Sequence, residues 1–363
     1  MRWSIHWLLI AVPVAIALKA LGAGAPLLFF CAALAIVPLA VLIVHSTEHL
    51  ATYTGPALGG LLNATFGNLP ELIIALVALR AGLLDMVRAS LIGALLANLL
   101  LALGVAFLLG GLRHRVQEYN PAAARSYASM MLLAAVSIVV PGTFHRFLGG
   151  AAPRHAGALD LAVAVVMLAA YALYLVFMLR THPEVFAGIQ AEHAEHGARW
   201  SVTRALGTLV LASLGAAWMS EILVGAAEAT GHELGMSSLF IGIVLLAVLG
   251  GAAESGAAIA MARKNQMDLA VGIALGSCIQ IALFVTPILV LSSLLVAPER
   301  LTLGFSRLEV GALFLGVLVG AHVAGDGRST WYKGVQLVAF YLILATMFYL
   351  VPVESVRTLG RAP

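Results

Sequence analysis

Long apolar runs constrain this chain more than any other feature. Crossing a bilayer takes roughly 20 consecutive, mostly apolar residues, and the 363-residue chain offers about eleven such runs. They lie near 5–22, 26–46, 56–80, 86–110, 127–148, 158–179, 204–228, 236–262, 268–296, 308–324 and 333–351. With 62% hydrophobic and 10% charged residues, the chain is far from the composition of a soluble domain. Strands of a membrane barrel would be about ten residues long and alternating, so runs of this length exclude one. The pattern predicts an all-α polytopic membrane protein with about 11 transmembrane helices in a lipid bilayer. The first run follows Arg2 and ends in small residues, as a signal peptide would, but a retained span is the expectation for a polytopic chain.

The net charge of +3 is scattered among short loops, which leaves no basic face for nucleic acid. Cys31 and Cys278 sit in apolar runs without C-x-x-C spacing and read as small buried hydrophobes.

One long polar stretch, RTHPEVFAGIQAEHAEHGARWSVTR at 180–204, divides the chain near its middle. Glu71 and Glu254 stand on either side of it, 183 residues apart (71 and 254). Without gaps the same offset pairs Gly67 with Gly250, Ala75 with Ala258, Arg80 with Arg263, Asp85 with Asp268 and Gly93 with Gly276. The expected organisation is an extra N-terminal helix (1–24), a five-helix repeat (25–180), a linker (181–203) and a second five-helix repeat (204–363). Five crossings force the second repeat into the membrane upside down. Inverted repeats with interrupted helices at matching places are the layout of secondary transporters, with the site near the midplane. With the N-terminus inside, Lys and Arg divide eleven inside and nine outside, too evenly to set orientation. The linker is therefore placed in the cytoplasm on its polarity alone, and the protein in a bacterial inner (plasma) membrane.

Glu71 and Glu254 lie near the middle of their apolar runs, where an ionisable group costs several kcal/mol and marks a functional site. Each follows a helix-breaking sequence, FGNLPE in the first repeat and LGGAAE in the second. Pro70 lacks an N–H and disfavours helical geometry at Leu69, so it suits the first turn of a new half-helix, with Gly67 as the turn before it. Gly250 and Gly251 allow a similar interruption. Carbonyls freed at such breaks become oxygen ligands, and irregular backbone at this depth is tolerated where it lines a cavity. Two carboxylates with oxygen donors suit Ca²⁺. The candidate ligands are Glu71, Glu254, Asn68, Asn98, Ser277 and Gln280. Neither Glu is flanked by Cys or His, which argues against a soft-metal site. Carboxylates that hold either Ca²⁺ or protons would couple the two ions. The expected activity is thus transport, not enzymatic. Ca²⁺ is substrate and no cofactor is needed. Coupling to Na⁺, or exchange of a monovalent cation for protons, is the alternative, and a homo-oligomer is left open.

At these residues the sequence resembles the Ca²⁺/cation:proton antiporter family of the cation/Ca²⁺ exchanger superfamily. FGNLPELIIALVALRAG is similar to its first repeat signature, G-N-x-x-E-L-I. GGAAESGAAIAMARKNQMDLAVGIALGSCIQIALFV is similar to the second, and RASLIGALLANLLLALGVAFLLGGLRH at 88–114 extends the likeness. The resemblance implies an eleven-span fold with alternating access in which Glu71 and Glu254 carry the ion. It also marks departures: Pro70 where a small or hydroxylated residue is usual, Gly251 where Asn is usual, and Ser255 where His is common. In the linker, Glu184, Glu192 and Glu195 are few beside the family's acidic helix, and His182, His193 and His196 are interspersed.

HSTEH at 45–49 fits H-x-x-E-H, which would put His45 and His49 one turn apart for zinc with Glu48 as base. That is the enzyme alternative, an intramembrane metalloprotease, and it lacks a third ligand. Glu48 and Glu221 are read instead as acidic positions on the proton or ion path toward the site.

Overall fold

In this computed structural model, residues 5–148, 153–186 and 200–351 are described. The linker residues Glu192, His193, Glu195 and His196 lie outside them. A 3₁₀ segment, Ile5–Ile10, leads into α1 (Ala11–Ala20). Then come α2 (Ala25–Phe66), α3 (Leu69–Arg80), α4 (Leu84–His114), β1 (Val116–Glu118), α5 (Pro121–Leu148) and α6 (Pro153–Val176). After the linker follow α7 (Val202–Leu234), α8 (Ser238–Gly250), α9 (Ala252–Arg263), α10 (Met267–Val296), α11 (Arg307–Ala324), β2 (Arg328–Thr330) and α12 (Trp331–Tyr349).

Among the described residues, eight helices are long and apolar enough to cross a membrane, and the bent pair α8–α9 makes nine. Two of the eleven expected spans take other forms. The run at 5–22 yields only the shorter apolar helix Trp7–Ala20. The run at 56–80 is divided at Gly67 and Asn68 into the end of α2 and the whole of α3. The 42 residues of α2 are not one rod. A Cβ on Gly59 would lie 2.6 Å from the carbonyl oxygen of Ala51, whereas eight residues of straight helix advance about 12 Å. The helix therefore turns sharply after its apolar stretch Ala25–Thr54.

The chain is nearly, not wholly, helical. β1 and β2 form a two-stranded antiparallel ribbon that pairs Val116 with Thr330 and Glu118 with Arg328. It joins the α4–α5 and α11–α12 connections and grips the end of α9. Gln117 Nε2 donates to Ala262 O at 2.8 Å and to Asn265 Oδ1 at 2.9 Å. Asp268 in turn accepts from the Asn120 backbone N–H at 2.7 Å.

Two apolar cores result. The larger is centred on α4 and α10, with Leu96, Leu100, Phe107, Leu283 and Phe348 fully buried. The smaller lies between α1, α2 and α7, around Phe29, Ile36, Ile43, Met219 and Leu223. Lipid gives little hydrophobic drive between helices, so close backbone approach through small residues takes over. At the α4–α12 crossing, a Cβ on Gly334 would fall 2.5 Å from Gly104 O, and one on Gly104 would fall 2.9 Å from Leu337 Cβ. Cys278 is buried in the larger core and directs its thiol to Leu95 O at 3.5 Å. Cys31 is half-buried, and both are free.

Candidate functional site

The two breaks are built alike. In the first, α2 closes with a bond from Gly67 N to Asn63 O at 2.8 Å. Asn68 leaves the helical region at φ −94°, ψ 26°, and α3 opens with Pro70 in its first turn. Proline costs nothing there because that N–H has no partner within the helix. Glu71 follows in the same turn. In the second, Gly251 at φ −77°, ψ 8° separates α8 from α9, the axes bend by 57°, and Glu254 lies in the first turn of α9. The first turn of each half-helix thus carries a carboxylate.

Each carboxylate lies against the opposite break. The Cβ position of Gly250 is 3.1 Å from Glu71 Cγ and 3.8 Å from Glu71 Oε1. The Cβ position of Gly67 is 3.6 Å from Glu254 Oε1 and 3.4 Å from Gln280 Oε1. A Cβ on Gly250 would press on Glu71, and one on Gly67 would touch Glu254 and clash with Asn63 O at 2.7 Å. Asn68 Nδ2 donates to Gln280 Oε1 at 2.5 Å, which ties the first break to α10. Ser277, one turn before Gln280 on α10, hydrogen-bonds the Glu254 side chain. Asn98 comes from α4, where a π turn at Ala97–Ala102 widens the helix, and its Oδ1 is 3.3 Å from the Cβ position of Gly251.

Asn68, Asn98 and Ser277 are buried, and Glu254 is 9% exposed. Both Glu71 carboxylate oxygens, Glu254 Oε2 and Asn68 Oδ1 are buried with no hydrogen-bond donor. Buried acceptors without partners are costly and rare in proteins. Four hard oxygens gathered from two breaks, two of them on one carboxylate, make a set that a small hard cation or protons would satisfy. The six candidate ligands and four helix-break residues named from the sequence therefore all fall at these crossed breaks or on the helices beside them.

Glu48 is half-buried on α2 and Glu221 is exposed on α7. The zinc reading of His45, Glu48 and His49 gains no third ligand. Among the described residues no three His, Cys, Asp or Glu side chains gather as metal ligands. His49 stacks on Trp200, with centroids 4.7 Å apart, and the Arg204 guanidinium lies 4.4 Å from the same ring. One polar cluster was not anticipated. His145 Nε2 and the buried Asp160 carboxylate pair at 2.8 Å near the far end of α5. Their spacing of 15 residues fits no short motif.

A helical membrane protein whose buried polar centre lies where two broken helices meet has the construction of a secondary transporter. The chain belongs to the sodium/calcium exchanger protein family, which matches it over residues 24–180 and 204–350. It is 38% identical over 360 residues to a Ca(2+)/H(+) antiporter of Synechocystis sp., spanning 95% of this chain and 96% of that one. It is 40% identical over 326 residues to the Ca(2+)/H(+) antiporter ChaA of Bacillus subtilis, spanning 89% and 92%. Among solved structures, native YfkE superposes with a TM-score of 0.83 at 35% identity, over 96% of this chain and all of that one.

Proposed function

We propose that this protein exchanges Ca²⁺ for protons across a membrane by alternating access, with Glu71 and Glu254 binding either ion in competition. The observation that carries the proposal is the set of four buried oxygens at the crossed breaks, both of Glu71, Glu254 Oε2 and Asn68 Oδ1, that have no donor. Ca²⁺ takes six to eight oxygens in flexible geometry. Glu71, Glu254, the amide oxygens of Asn68, Asn98 and Gln280, the Ser277 hydroxyl and carbonyls at the breaks supply that chemistry. Two carboxylates neutralise one divalent ion or take up protons. Because the same oxygens serve both, the loaded forms exclude each other, which is what exchange requires. The relatives named as Ca(2+)/H(+) antiporters support this choice over Na⁺ coupling.

In this reading the chain has eleven spans, with an extra N-terminal helix (1–24), repeats at 25–180 and 204–363 in opposite orientation, and the linker 181–203 in the cytoplasm of a bacterial cell. The internal symmetry supports it. Gly82 and Asn265, 183 residues apart (82 and 265), both adopt positive φ, +78° and +66°. Leu95 and Cys278, also 183 apart, touch each other, as residues related by a two-fold axis do when they lie on it. The two family matches bracket the linker.

The test is ΔpH-driven ⁴⁵Ca²⁺ uptake into proteoliposomes. Uptake should require an inwardly directed Ca²⁺ supply and an acidic lumen, and should collapse with a protonophore that abolishes ΔpH. Uptake that follows an imposed Na⁺ gradient and ignores ΔpH would overturn the proton reading.

A further inference from the structure

The two breaks correspond in the chain but not in their side chains. Asn68 and Gly251 stand 183 residues apart (68 and 251), as Glu71 and Glu254 do, so the second break lacks the amide of the first. The backbone does not require glycine at 251. Its φ of −77° and ψ of 8° are open to ordinary L residues. A side chain beginning there would press on one from another helix and lie 3.4 Å from Ala247 O. A Cβ built on Gly251 would meet Asn98 Oδ1 at 3.3 Å and Asn98 Nδ2 at 3.8 Å.

Asn98 has the features of a group held for a purpose. It is 1% exposed at mid-span, and its Nδ2 is buried without a hydrogen-bond partner. It stands at the start of the π turn Ala97–Ala102, and such turns recur at functional sites. Its counterpart in the second repeat is the apolar Ile281, which opens a π turn of its own, Ile281–Val285. The polar group is thus present in the first repeat only, and it is aimed at the one break that carries no amide.

We propose that Asn98 supplies the second break's missing amide from α4, and that Gly251 is a positioning residue whose absent side chain admits Asn98 to the cation site. The proposal rests on the Ca²⁺/H⁺ exchange reading and adds a division of ligands to it. Asn68 serves the first break and is held by Gln280. Asn98 serves the second break and is held by the fit against Gly251. An amide oxygen is a neutral hard donor, suited to Ca²⁺ beside two carboxylates. The amide group can turn either end toward a neighbour, so Asn98 can present oxygen to an ion and its NH₂ to a carboxylate.

Relocating the amide tests this. In proteoliposomes, Asn98→Ala should raise the KM for Ca²⁺ about tenfold or more, with a smaller change in Vmax, as expected for a lost hydrogen bond to a charged partner. Gly251→Asn should also raise KM, because its Cβ presses on Asn98. The double variant Asn98→Ala/Gly251→Asn, which moves the amide onto the break itself, should return to within about threefold of wild type. If the Asn variant fails to insert, Gly251→Ala replaces it. That change should raise KM in the wild-type background and leave it unchanged once Asn98 is Ala. An unchanged KM in Asn98→Ala, or effects that simply add in the double variants, would overturn the proposal. Wild-type protein that moves no ⁴⁵Ca²⁺ under ΔpH would count against the exchange reading instead. The same variants would then be compared by equilibrium ⁴⁵Ca²⁺ binding, with the same order of affinities expected.

Discussion

Glu71→Gln and Glu254→Gln preserve the shape of each side chain while removing one of the two negative charges at the crossed breaks. In a desolvated centre, charge–charge interactions are far stronger than in water. An ion left with half its compensation loses on the order of 3–5 kcal/mol, by analogy with buried pairs broken on one side. That is roughly a hundredfold or more in affinity. Each single variant should therefore lose ΔpH-driven ⁴⁵Ca²⁺ uptake almost completely while inserting normally. Wild-type rates in either would sink the two-carboxylate site. The loss should be of similar size at the two positions, because each glutamate packs on the opposite break's glycine, Glu71 on Gly250 and Glu254 on Gly67. This reciprocity was invisible in the sequence. The identities of the two acids and their glycines were legible there because a carboxylate in mid-span is expensive and because Pro70 and the paired Gly250 and Gly251 interrupt a helix locally. Which acid faces which glycine depends on how separate helices register, and no local rule encodes that. The same limit hid Asn98 beside Gly251.

The breaks themselves can be tested as elements. Pro70→Ala restores an N–H and removes the restraint on Leu69, so α2 and α3 gain the option of joining into one helix across Asn68. Gly250→Leu acts through volume, since its Cβ would lie 3.1 Å from Glu71 Cγ. Both should lower the initial rate of Ca²⁺ uptake, Gly250→Leu about fivefold or more because overpacking costs about 1–3 kcal/mol at the point of contact. Helical content and detergent-solubilised size should stay normal. Unchanged flux in both would argue that the breaks do not shape the site. Helix patterning gave most spans to within a few residues, because apolar runs must be helical in lipid. It was least informative where an element departs from a straight rod. The ribbon of β1 with β2 arises from tertiary contact, and its three-residue strands are too short to leave an alternating pattern, whereas the turn of α2 falls where the apolar runs at 26–46 and 56–80 leave a gap.

At the scale of the whole molecule, the linker and the two faces carry the remaining predictions. Trp200 anchors the linker's end to α2: Tyr53 OH donates to Trp200 O at 2.6 Å, and His49 stacks on its ring. Glu184, exposed in the turn Pro183–Phe186, lies outside every span. Replacing Glu184, Glu192 and Glu195 together with Gln should shift the Ca²⁺ or pH dependence of exchange without abolishing maximal rate. Complete loss in a normally inserted variant would place those acids in the transport path.

Inversion of the repeats makes the sharpest demand on the whole chain, because loop residues 183 apart must then lie on opposite faces of the membrane. Val116 and Glu299 form such a pair (116 and 299), and both are exposed. Val116, at the start of β1, shares a face with the linker, since Asn120 Nδ2 nearby donates to Val185 O at 2.9 Å. Glu299 lies in the α10–α11 connection, whose Gly304 packs on His145 at the other end of α5. The 25 residues from Asn120 to His145 are about 37 Å of helix at 1.5 Å per residue, more than the roughly 30 Å of a bilayer's hydrocarbon. In a background carrying Cys31→Ser and Cys278→Ala, Val116→Cys should react with a membrane-impermeant maleimide from the linker side only, and Glu299→Cys from the other side only. With the linker in the cytoplasm, intact spheroplasts should label Glu299→Cys, and inside-out vesicles should label Val116→Cys. Labelling of both from the same side would break the inverted repeat, and with it the two-fold relation that brings Glu71 and Glu254 to one site. Labelling of the pair in the reverse sense would keep the repeat and move the linker to the outer face.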